Sequence, residues 1–69
     1  MSNTKELSYS SMYLKKFLHD IGDDRQHDLA FIKDRGESAA VEYESARHEG
    51  LTVDQAMERA HAVLMAGFL

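Results

Sequence analysis

The residues with the means to do chemistry are four histidines, a run of aspartates and a short string of hydroxyl and carboxylate side chains past the middle of the chain. A metal site built on a helix needs two imidazoles on one face, at i and i+4. His19, His27, His48 and His61 stand 8, 21 and 13 residues apart, so no pair has that spacing. They read as solvated surface side chains, and no metal is expected. Asp20, Asp23, Asp24 and Asp28 lack the alternating ligands, central glycine and terminal glutamate of a calcium loop. They read instead as loop charge and as partners for the positive N-terminal end of a following helix.

Other chemistries fare no better. Gly22, Gly36, Gly50 and Gly67 are isolated from one another, so no glycine-rich loop cradles a phosphate. No serine or threonine stands beside a base and an orienting group. Cysteine is absent, which removes thiolate catalysis, Cys-based zinc sites and disulfide staples. Acid–base work is left to Glu44, His48 and Glu49, and an exposed helical i, i+4 pair such as Glu44–His48 typically adds only about 0.2–0.5 kcal/mol to a helix. The expectation is a protein that is not an enzyme and carries no cofactor.

One local feature departs from the rules around it. In Ser45-Ala46-Arg47-His48-Glu49-Gly50 a carboxylate sits at the negative end of a helix dipole, where it is mildly unfavourable, among residues that otherwise terminate a helix well. Such departures concentrate at functional sites. The six residues resemble the inhibitory motif of antitoxins that silence Fic-domain AMP-transferases: Ser or Thr, three residues, Glu, then Gly or Asn. That resemblance implies that Glu49 takes the γ-phosphate position by pairing with a toxin arginine, with Ser45 supporting it. The fork of donors on an arginine that grips a phosphate also accepts a carboxylate. The bland alternative is an exposed Glu before a capping glycine.

Helices must position these groups. Between Ser8 and Ile21 the apolar residues Met12, Tyr13, Leu14, Phe17, Leu18 and Ile21 recur at steps of three and four, which predicts a first helix over roughly 10–21, ended by Gly22. Leu29, Ile32, Gly36, Ala39, Tyr43 and Ala46 then form a narrow seam of mainly small residues along a long second helix ending near Glu49. Gly36 inside it costs on the order of 1 kcal/mol against alanine, so it marks either a close contact within a continuous helix, the favoured reading, or a break into two. Arg47 and His48 in the last turn, a left-handed Gly50 and Leu51 folding back toward Ala46 make a strong stop. Thr52 and Gln55 have the spacing of a capping box, Asp54 adds charge to the first turn, and Val53, Ala56, Met57, Ala60, Val63 and Leu64 line a third helix. The fold class is all-α: a small domain of three helices, or four if Gly36 divides the second. Phe17, Leu18, Ile32, Tyr43, Val53, Met57, Ala60 and Leu64 are the expected core.

With 69 residues, a chain of this size supports one thin core, and self-association is open to it. A formal charge of −4 with scattered basic residues disfavours nucleic acid, whose affinity depends on lysines and arginines displacing counterions. The longest apolar run, Ala62 to Ala66, is too short to span a membrane, and no signal peptide is apparent, so a soluble cytoplasmic protein is expected.

A broader resemblance covers nearly the whole chain. Glu6-Leu7-Ser8-Tyr9, Leu14, Phe31-Ile32, Arg35, Ala39-Ala40, Tyr43-Glu44, Ala46-Arg47, Glu49-Gly50-Leu51-Thr52-Val53, Ala56 and Val63-Leu64 resemble a family of small helical domains of unknown function found on mobile elements of Bacteroides-type bacteria. Its Glu-Gly-Leu turn is a fixed feature, which points to helix capping. The resemblance also implies that the single domain over 1–69 is compatible with being the N-terminal part of a longer family domain. These readings converge on a non-enzymatic interaction or regulatory module of a mobile element, with a Fic-inhibiting antitoxin acting through Glu49 as the alternative. The partner is another protein or a second copy. The expected contact surfaces are the turn at Ser45, Glu49, Gly50 and Leu51 and the apolar tail with Leu64, Phe68 and Leu69.

Overall fold

A computed structural model describes residues 9–68. Its elements are α1 (Tyr9–Asp20), a 3₁₀ turn (Asp24–His27), α2 (Leu29–His48) and α3 (Val53–Leu64). Each boundary has a chemical cause. The Asp28 carboxylate accepts the Phe31 amide at 3.1 Å and starts α2. The Glu49 and Gly50 amides donate to Ser45 and Arg47, and the Leu51 amide reaches back to the Ala46 carbonyl at 3.1 Å, closing the helix over a Gly50 at φ 96°. α3 opens on the complete capping box: the Gln55 amide donates to Thr52 Oγ1 at 3.2 Å and the Thr52 amide to Gln55 Oε1 at 3.0 Å.

α2 is the longest element and is continuous through Gly36, so the described residues form three α-helices and the division of the second into two does not occur. The reason is contact. α1 crosses α2 at this point, and a Cβ on Gly36 would run into the hydroxyl of Ser11. That hydroxyl is itself buried and donates to the Ile32 carbonyl at 3.3 Å. The seam of small residues thus lets two backbones approach closely, which offsets the helix-weakening effect of glycine.

Leu14, Leu18, Ile32, Ala39, Leu64 and Met65 form the sealed core, with Phe17, Phe31, Ala60, Val63 and Phe68 packed against it. Ala46 and Ala56 are also fully buried. α1 and α3 each lie on α2 and touch one another far less, and the Cα trace measures 37 × 33 × 14 Å, a flattened layer instead of a triangular bundle. That geometry corrects part of the expected core. Val53 is 46 % and Met57 50 % exposed, because α2 covers only one side of the wide apolar stripe on α3 and no described helix covers the other. Tyr43 is half-buried at the same margin.

The apolar tail is also not the free surface expected of it. Leu64 and Met65 are buried, and past them a turn through Gly67, with the Phe68 amide donating to the Met65 carbonyl at 2.9 Å, folds Phe68 back onto the protein. Phe68 meets Phe17 and Phe31 edge-to-face, with centroids 5.8 and 6.3 Å apart. Leu69 lies outside the described residues.

Candidate partner-docking groove

The flattened layer leaves a trench over the middle of α2, between the first half of α1 and the second half of α3. Its volume is about 560 Å³. Ala39, Ala40 and Ala60 make a low floor because their side chains end at Cβ, while Tyr9 and Tyr13 from α1, Tyr43 from α2, and Met57 and His61 from α3 rise as walls. Tyr13 and His61 meet edge-to-face, centroids 5.3 Å apart, and so define one margin. Glu44 is on the lining. The trench is open to water: Tyr9 is 78 %, Tyr13 44 % and Met57 50 % exposed. Their rings and thioether give the trench a mostly apolar lining in contact with water.

The residues singled out from sequence fall in other places. Ser45, Glu49 and Gly50 are exposed and Leu51 is half-buried at the α2–α3 turn. Ser45 and Glu49 are joined backbone to backbone, the Glu49 amide donating to the Ser45 carbonyl at 3.0 Å. The Glu49 carboxylate faces Arg59 of α3 at 3.7 Å, while the same guanidinium holds Glu42 at 2.7 Å. Arg47 donates to the Leu51 carbonyl at 3.1 Å and braces the turn. Glu44, Ser45, His48 and Glu49 border a shallow hollow on this side, all four exposed. Leu64 belongs to the core and offers no surface to a partner.

Sequence reasoning missed both the groove and the arginine-rich lock at the opposite end of the layer. Arg35 reaches from α2 to the C-terminus of α3 and donates to the Ala66 carbonyl at 2.8 Å and the Leu64 carbonyl at 3.1 Å. Its guanidinium also lies 5.0 Å from the centre of the Phe31 ring, and that of Arg25 4.5 Å from Phe68. Arg25 is held in turn by Asp23, whose carboxylate accepts its side chain at 2.6 Å and its amide at 2.8 Å. The side-chain bond from Arg25, then the backbone bond, bring the Asp23 carboxyl down to about 2 from its ordinary 3.8. The groove did leave one trace in the sequence: Tyr9, Tyr13, Met57 and His61 widen the faces of α1 and α3 beyond what a layer this thin can cover.

No three His, Asp or Glu side chains converge on a metal-sized point among the described residues, and none of their helices is long and apolar enough to cross a membrane. Fold and groove together define a small all-α domain with an apolar trench that no described residue fills. Over residues 2–69 the chain matches the family described as a domain of unknown function, DUF1896, and it belongs to that family. No curated protein and no solved structure matches it.

Proposed function

We propose that the protein is a non-enzymatic interaction module whose docking surface is the groove between α1, α2 and α3. The observation that carries this reading is the placement of Tyr9, Tyr13 and Met57: large, partly apolar side chains left in water around a floor of alanines, beside a core that is otherwise closed. Tyrosine and methionine suit such a role, since one adds a hydroxyl to an apolar body and the other adapts its shape to a partner. The setting implied by the wider resemblance is an accessory protein of a mobile element. A photo-crosslinking residue placed at Met57 in the native host is expected to capture a protein that the same residue at Val41, equally apolar and 66 % exposed, does not. Equal capture at both positions, or none at Met57, would sink the proposal.

A second reading is supported by Glu49. Its side chain is 55 % exposed and its contact with Arg59 is 1 Å longer than that of Glu42, so the carboxylate is accessible to an arginine on another protein. As an inhibitor of a Fic-domain AMP-transferase, the protein would lose its effect on substitution of Glu49→Gly. The absence of a Fic-domain gene beside this one, or AMP transfer by such an enzyme that Glu49→Gly leaves unchanged, would end that reading.

A further inference from the structure

We infer that the groove receives a basic amphipathic helix from another protein, an inference that rests on the docking role proposed above. Three observations lead there. The trench is open along its length, with Met57 half-exposed, whereas sites for small molecules enclose most of the ligand. On α3 the accessible lining is Met57 and His61, one helical turn apart with Leu64 buried at the base beyond them, and a docking helix that places apolar side chains at i and i+3 or i+4 presents a stripe of the same length. The third observation is charge. Glu44 lines the groove, and exposed carboxylates stand three residues before its lining residues: Glu37 before Ala40, Asp54 before Met57, and Glu58 before His61. The cations at the same spacing have partners of their own: Lys16, three residues after Tyr13, is drawn to Asp20 at 3.4 Å, and Arg47, three residues after Glu44, donates to the Leu51 carbonyl at 3.1 Å, so the carboxylates outnumber them around the groove.

An apolar floor between acidic rims selects an apolar stripe flanked by lysine or arginine. The same charge argues against a second copy as the occupant, since a two-fold pairing of this face would bring the rims of α2 and α3 against their own kind. The test uses the full chain, labelled with ¹⁵N, and two 15-residue helical peptides with the same leucine stripe, one flanked by lysines and one by glutamates, at 0.15 M salt. The lysine peptide is expected to shift the amides of Tyr13, Ala40, Met57 and His61 and to bind at least tenfold tighter than the glutamate peptide. In Asp54→Lys/Glu58→Lys, whose groove lining is intact, that preference should fall toward unity. Equal binding of the two peptides to the unmodified chain overturns the inference. So do concentration-dependent shifts of the same amides without peptide, with a dimer in sedimentation, which leave the groove a docking site for a second copy. Shifts spread over the acidic surface and absent from the groove overturn the inference and the docking role together.

Discussion

The layer has an aromatic cluster on each side of the Gly36 crossing, and the two are finished in opposite ways. At one end Phe17, Phe31 and Phe68 interlock, Arg25 and Arg35 cover their faces, and Arg35 also satisfies carbonyls at the end of α3. At the other end Tyr9, Tyr13 and Tyr43 surround a trench that nothing in the described chain fills. Phenylalanine has no polar atom to present to water, so it is driven inward. Tyrosine keeps a hydroxyl in solvent at little cost while leaving its ring available. The contrast separates a region built for stability from one whose apolar surface is held in reserve.

Breaking the closed side should cost far more stability than altering the open one. The largest effect is expected at the crossing itself: Gly36→Val forces a side chain into Ser11 and should destabilise by about 3 kcal/mol, the upper range for overpacking, which for a domain this small lowers Tm by on the order of 15 °C. Thermal unfolding followed by circular dichroism measures it, and Ser11→Ala in the same chain should recover part of the loss. Phe68→Ala removes a half-buried ring from the lock and should cost about 2 kcal/mol, below the value for a fully buried phenylalanine. Arg35→Ala leaves the α3 carbonyls to water and should cost roughly 1–2 kcal/mol by the same measurement. If Phe68→Ala and Arg35→Ala proved neutral, the tail would not be locked, and the distinction between the two ends would dissolve.

Much of this was legible in the residues themselves. The spacing of Leu29, Ile32, Gly36, Ala39 and Ala46 specified a long helix with a close-contact seam, and Thr52 with Gln55 specified the start of the next, because capping and periodicity are local properties of the chain. Which flank of α3 would be covered is not local. Val53 and Met57 lie on the same apolar stripe as Ala56 and Leu64, and only the flattened placement of α1 decides that they remain in water. The tail failed for a related reason: a terminal Phe68 looks unpaired until Gly67 turns it toward Phe17 and Phe31, more than thirty residues earlier. Arg35 gave no sign of its role, since a guanidinium that caps a distant helix has no sequence pattern.

On the open side the expected effects on stability are small, and that smallness is the point of comparison. Met57→Gln should change stability by no more than about 0.5 kcal/mol, the range for surface substitutions, while weakening capture of a docked helix. A loss comparable to that of Phe68→Ala would place Met57 in the core after all.

The smallest effect is set by pH at the foot of the lock. Arg25 holds the Asp23 carboxyl at about 2 in the folded chain, below the ordinary 3.8 that it recovers on unfolding. A lowered folded value means that this pair favours folding fully above the ordinary value and ceases to do so as the pH falls through about 2. Acidification from pH 7 to 4 should therefore leave the Arg25 contact with Phe68 in place, and its loss should follow protonation of Asp23, with a midpoint at about 2. A ¹³C titration of the Asp23 carboxyl checks this, read beside the ring resonances of Phe68. A midpoint near 3.8 would mean that Arg25 does not grip Asp23, and the guanidinium would then stack on Phe68 without support from its neighbour.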